Sequence, residues 1–215
     1  MLWDVARITE INEGGVRGFV HWPAEPSGEG LVITHGAGSN CAAPLLLEAA
    51  ESFCGAGVTV LRCDLPFRQR RAYGPPPPAG AEADRAGLHN ALATLRGMAR
   101  GPYYLGGHSY GGRQASMLAA EEQGVAAALL LLSYPLHPPA KPEQLRTAHF
   151  PQLHTPALFI HGTKDSFATP MELQDAVTAI PSPVCTIFIE GGGHDLGRGR
   201  VDFKAALAQL RKWTS

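Results

Sequence analysis

The sequence predicts an α/β fold: a doubly wound, mainly parallel sheet with helices on both faces and an antiparallel hairpin at its N-terminal edge. Three observations predict it. Short, nearly unbroken apolar runs recur along the chain, as expected of strands buried on both faces. Segments with helical apolar spacing alternate with them, and alternating β and α units build a parallel sheet through right-handed crossovers. Polar, glycine-bearing stretches follow several of the runs, at the carboxyl ends of strands where open α/β sheets gather their ligand chemistry.

Taken in chain order, DVARITEI (Asp4 to Ile11) and VRGFVHWP (Val16 to Pro23) are weaker strand signals joined across Asn12 to Gly15, which reads as the edge hairpin. The first internal strand is GLVITHG (Gly30 to Gly36), and APLLLEAAESFCGAG from Ala43 has helical spacing. GVTVLRCDL (Gly57 to Leu65) is the next strand, and AEADRAGLHNALATLRGMA from Ala81 the next helix. Between them YGPPPPAG (Tyr73 to Gly80) is expected to form a stiff polyproline loop, since it cannot be helix or central strand. YYLGG (Tyr103 to Gly107), AAALLLLSYP (Ala126 to Pro135), ALFIHG (Ala157 to Gly162) and CTIFIEGG (Cys185 to Gly192) complete the strands. RQASMLAAEEQG, PMELQDAVTAI and VDFKAALAQLRKW complete the helices.

The 215 residues, 45% hydrophobic, fit one domain over 1–215, with no internal repeat and no separate lid domain. A formal net charge of −1 supplies no basic field, which argues against nucleic acid or an anionic membrane surface as partner. The N-terminus carries Asp4 and Glu10 and lacks a basic start followed by a long apolar run, so a cytoplasmic location is expected. The most apolar run, VAAALLLLSYPL from Val125, is too short to span a bilayer. Cys41, Cys54, Cys63 and Cys185 are scattered, without metal-ligand spacing, and are expected to be thiols in or near the core.

The chemistry gathers at the strand ends. In YLGGHSYGGRQA, from Tyr104, glycines at 107 and 111 flank Ser109 between a strand and a helix. Small residues there permit a sharp turn with the hydroxyl at its apex. A serine used only to cap the following helix has no need of glycines on both sides. THGAGSN ends the first internal strand, HGTKDSF the fifth and EGGGHDL the last, so a serine, an aspartate and a histidine arrive in that order. Gly36 and Gly38 are expected to be required by the turn after the first of these strands.

With these motifs the sequence resembles the α/β-hydrolase superfamily, and the likeness covers nearly all of the chain from Gly30 onward. Within it, HGAGSN, DLPF and the small size are similar to small, lidless proteins of the dienelactone-hydrolase type. They are also similar to a hydrolase-like group named after testis-expressed and chromatin-complex relatives. The resemblance implies a serine hydrolase acting on a small-molecule acyl substrate through an acyl-enzyme, with no metal or organic cofactor. It implies Ser109 as nucleophile, His194 as its base and Asp165 as the acid that orients His194, with the backbone N–H groups of Ala37 and Tyr110 as oxyanion donors. Asp195, adjacent to His194, is not expected to take the place of Asp165, because neighbouring side chains in a short turn diverge. A catalytically silent binding or scaffold protein on the same fold stays open. A dienelactone hydrolase proper is a further alternative, although that group typically uses cysteine where this chain has Ser109. His35, His108 and His161 are expected to be structural hydrogen-bonding groups near the site.

Two other stretches bear on the pocket. RCDLPFRQRRAYG carries Arg68, Arg70 and Arg71, which either bind an acidic substrate or form a solvated face; in the structural alternative Asp64 pairs with Arg68 or Arg113. The connection SYPLHPPAKPEQLRTAHFPQL, from Ser133, is short and proline-rich, which predicts a small, open site.

Overall fold

The computed structural model describes residues 7–197 and 199–214. Asp4 to Ala6 of the expected first strand lie outside the described residues. From Arg7 the hairpin is as anticipated: β1 (Arg7–Glu13) pairs antiparallel with β2 (Val16–Trp22). The turn is tighter than the expected Asn12 to Gly15. Glu13 already faces Val16, and Gly14 and Gly15 alone make the bend, with φ of 59° and 77°. Positive φ at both central residues is the turn whose twist matches that of the strands.

The remaining strands are β3 (Gly30–Thr34), β4 (Thr59–Cys63), β5 (Tyr103–His108), β6 (Ala128–Leu132), β7 (Ala157–Gly162) and β8 (Val184–Ile189). They join the hairpin in one eight-stranded sheet of order β1-β2-β4-β3-β5-β6-β7-β8, with β2 antiparallel to β4 and every later pairing parallel. From β3 the chain first builds outward to β4 and then returns to the other side for β5. The strand order therefore reverses between β3 and β5, and a crevice opens there at the carboxyl ends.

Period-2 alternation along the buried strands feeds two cores. Val32, Leu61, Leu105, Leu129, Leu131 and Phe159 pack beneath α3 (Ala81–Arg96), α4 (Tyr110–Glu121) and α5 (Pro170–Val177). Leu31, Ile33, Val60, Leu130, Leu158 and Ile160 pack beneath α1 (Pro44–Gly55) and α6 (Phe203–Arg211) on the opposite face. The central strands are predominantly apolar because neither of their faces meets water, with Arg62 on β4 and His161 on β7 as buried polar exceptions. β8 departs from this: all six residues are half-buried, since it is paired only with β7 and closes the sheet edge. Cys41, Cys54 and Cys63 are buried free thiols, and Cys185, on β8, is half-buried. Among the described residues no helix is long and apolar enough to cross a membrane.

One local feature was not anticipated and another differs from the sequence expectation. The arginine-rich segment after β4 begins as a short helix, α2 (Pro66–Arg70), with Pro66 at its first position, where a missing N–H costs nothing. The proline stretch is extended through Pro77 (φ −66°, ψ 143°) but closes with a 3₁₀ turn over Pro78–Gly80, which leads directly into α3. Proline at the first position of a helical turn is compatible with its fixed φ, so the run is not extended to its end.

Candidate active site

The turn from β5 into α4 sets Ser109 at φ 51° and ψ −117°, a left-handed backbone that costs a non-glycine residue about 1–3 kcal/mol. Surrounding contacts hold it there: the Ser109 N–H donates to the Leu132 carbonyl at 2.8 Å and its own carbonyl accepts the Arg113 N–H at 3.0 Å. The flanking glycines are explained by distance. A Cβ on Gly107 would lie 2.7 Å from the Gly111 carbonyl carbon, and one on Gly111 would lie 2.5 Å from the His35 carbonyl oxygen. Strand, turn and helix approach each other too closely for any side chain at either position.

Ser109, Asp165 and His194 come together. His194 Nδ1 is 2.8 Å from Asp165 Oδ2, and His194 Nε2 is 2.8 Å from Ser109 Oγ. A carboxylate only accepts, so Nδ1 carries the proton and donates to it. Nε2 is then bare and accepts from the serine hydroxyl. Burial by itself would push the Asp165 carboxyl up; the bonds from His194 and from the Phe167 N–H (2.9 Å) outweigh it and hold the group below the usual carboxylate value. Asp165 is therefore an anion, with its side chain fully buried. Phe167 also lies against the His194 ring, with centroids 4.2 Å apart and planes tilted by 32°. Asp195 points elsewhere and accepts the Gly197 N–H at 3.2 Å.

The three other histidines singled out are hydrogen-bonded frame. His35 is fully buried, donates from Nδ1 to the Gly36 carbonyl (2.8 Å) and accepts the Leu65 N–H at Nε2 (3.1 Å). His161 donates to the Ala168 carbonyl at 3.0 Å, with Asp165 Oδ2 3.6 Å away. His108 donates from Nε2 to the His194 carbonyl at 2.8 Å, which ties the loop of His194 to the strand that carries Ser109. Burial lowers the His108 pKa to about 4, so the ring is neutral.

Of the two predicted amides, Tyr110 is the first residue of α4, and its N–H is one of the four that have no acceptor within the helix. Its hydroxyl donates to Asp84 Oδ2 at 2.8 Å, while Asp84 Oδ1 accepts the Phe67 N–H at 3.0 Å. Asp84, fully buried, thus braces the residue after Ser109 against α2; nothing in its helical surroundings singled it out in the sequence. Ala37 follows Gly36, whose hypothetical Cβ would lie 2.9 Å from His108 Nδ1 and 3.4 Å from Ser109 Cβ. That crowding accounts for Gly36. Gly38 is different: a Cβ there meets nothing within 4 Å and its φ is not positive, so the turn does not require glycine at that position as expected.

The arginine cluster is also reassigned. Asp64 pairs with neither Arg68 nor Arg113 but with Arg17, at 2.8 Å, because β2 lies beside β4 in the sheet; Asp64 also accepts the Cys41 N–H at 2.7 Å. Arg68 is buried, and its guanidinium donates to the carbonyls of Ala37 (2.8 Å), Ser39 (2.8 Å), Ala72 (2.6 Å) and Gly74 (3.1 Å). It anchors the Ala37 loop to the segment after α2, and its donors are committed to protein carbonyls. Arg70 and Arg71 are exposed, and Arg71 donates to the Pro75 carbonyl. Pro66 was the available signal for the start of α2, but no local pattern marked Arg68 as buried. Arg68→Ala strands several carbonyls and is expected to lower stability by about 3 kcal/mol, with a larger fractional loss of activity than of folded protein, measured by denaturant titration beside ester hydrolysis.

A family model described as an alpha/beta hydrolase domain matches residues 27–212. Among solved structures, a dienelactone hydrolase from Anabaena variabilis is 19% identical, with 97% of this chain and 96% of that chain covered and a TM-score of 0.70. A Thermus thermophilus protein is also 19% identical, covering 97% and 98% with a TM-score of 0.76. A lidless α/β serine hydrolase of Xanthomonas campestris is 16% identical, covering 97% and 94% with a TM-score of 0.70. At such identities the likeness is one of fold.

Proposed function

We propose, from the premise that this chain belongs to the alpha/beta-hydrolase family, that it is a serine hydrolase cleaving a small carboxylic ester or related acyl compound through an acyl-enzyme. The observation that carries this reading is the continuous hydrogen-bonded chain from Ser109 Oγ through His194 to Asp165. A serine hydroxyl is a weak nucleophile unless a base takes its proton during attack. Here the bare Nε2 of His194 is placed to do so, and Asp165 fixes the tautomer that leaves it bare.

In the first half-reaction Ser109 Oγ bonds to the substrate carbonyl carbon as its proton passes to His194 Nε2. The tetrahedral oxyanion faces the N–H groups of Ala37 and Tyr110; one such donor contributes about 3–4 kcal/mol. The C–O bond to the leaving group then breaks, and the departing alkoxide takes the proton from Nε2. Water, deprotonated by the same nitrogen, attacks the ester carbon in the second half-reaction and returns Ser109 to its hydroxyl form. No step calls for a metal or organic cofactor.

The reading is tested by acid-quenching the protein during turnover of nitrophenyl acetate. The expected result is a burst of nitrophenol equal to the enzyme concentration, with an acetyl adduct found by mass spectrometry on the peptide containing Ser109. Absence of both, in folded protein that also resists a fluorophosphonate, would support a silent binding protein on this fold instead.

A further inference from the structure

Beside the site lies a cavity of about 360 Å³. Each of the three segments that meet at Ser109 contributes one wall: Ser39 follows Ala37 by two residues, His108 ends β5 immediately before Ser109, and Asp195 immediately follows His194. Ala43, Pro44, Leu45 and Leu46, from the cap and first turn of α1, make up an apolar side. α1 begins there because Pro44 occupies its first position, directly after the loop held by Arg68. Asp195, which is exposed, lines the cavity, and its carboxylate accepts the Gly197 N–H; half-buried Glu48 also lines it and accepts the Gly199 N–H at 3.0 Å.

We propose that this cavity is the acyl pocket and that it selects an uncharged aliphatic acyl group over one ending in a carboxylate. The inference rests on Ser109 being the nucleophile. The leaving group must take a proton from His194 and depart, so it belongs on the open side of the site. The acyl group stays through both half-reactions and gains from an apolar wall. Each methylene buried there favours the transition state by about fourfold. A terminal carboxylate would give up part of its hydration against the apolar side while facing the like charges of exposed Asp195 and half-buried Glu48.

The test varies the acyl group of nitrophenyl esters from acetyl to hexanoyl, with the adipate monoester as a near-isosteric anion. A second series varies the alcohol of acetate esters. The expected result is a rise in kcat/KM of about fourfold per methylene along the acyl series, with adipate more than about tenfold below hexanoate. Asp195→Asn narrows that gap through KM, and Ala43→Phe lowers hexanoyl turnover relative to acetyl. A flat or falling acyl series, adipate equal to hexanoate, or length dependence in the alcohol series would each overturn the assignment. A binding arm needs no turnover: hexanamide titrated into Ser109→Ala is expected to shift the backbone amide resonances of Ala43, Leu45 and Leu46, and adipic monoamide is not. If no acyl adduct forms on Ser109, the hydrolase reading fails, while these shifts still decide the pocket. Their absence with hexanamide would sink it.

Discussion

Ser109→Ala is expected to lower ester hydrolysis by about 10⁶ in kcat, the scale seen when a serine protease loses its nucleophile, and to abolish labelling by a fluorophosphonate. The hydroxyl is the only atom of Ser109 in the hydrogen-bonded chain, and alanine keeps the rest of the turn. Ser109→Gly separates chemistry from folding. Glycine adopts φ 51° without penalty, so this variant is expected to raise Tm while activity is lost, because the strained backbone is no longer carried by a residue with a Cβ. Calorimetry and the labelling assay on the same preparations check both halves. Undiminished labelling of Ser109→Ala would remove Ser109 from its role, and a destabilised glycine variant would contradict the account of the strained turn.

Asp165→Asn is expected to lower kcat by about 10⁴, and Asp195→Asn by less than about tenfold with an acetyl ester. An amide in place of Asp165 donates as well as accepts, so His194 can settle with its proton on Nε2 and no longer accept from Ser109. Asp195 bonds its own turn and does not touch the ring's Nδ1. The reversed ranking, in folded variants, would transfer the role to Asp195. The same substitution changes the response to acid. Because the folded carboxyl of Asp165 titrates below its unfolded value, its contribution to stability is fully present above the unfolded pKa and is lost as pH falls through the lower folded one. Tm of the wild type should therefore fall more steeply on acidification through that range than Tm of Asp165→Asn, as followed by calorimetry across a pH series.

Much of the site was legible because its signals are local. Ser109 sits in a five-residue pattern whose two glycines are dictated by contacts within one strand–turn–helix unit and the adjacent His35 carbonyl. Asp165 and His194 could be singled out as the carboxylate and imidazole following two later strands, and the structure brings both to Ser109. Phe167 and Asp84 were not singled out. A phenylalanine two residues beyond Asp165 and an aspartate on an ordinary helix turn carry no pattern of their own, and both act through residues distant in sequence.

The fold class and the order of its elements follow from the sequence alone, since a buried parallel strand must be apolar on both faces and a helix on one. Those are properties of a short window. Strand order, by contrast, was decided in three dimensions. Only the placing of β2 beside β4 assigns Arg17 to Asp64, and that pairing leaves Arg68 to the carbonyls of the Ala37 loop. The position of β3 between β4 and β5 opens the crevice in which Ala37, Ser109 and His194 meet. Charge partners and cavity walls arise from side chains tens of residues apart, and their choice depends on which acceptors the packed strands and loops leave buried, a quantity no local pattern encodes.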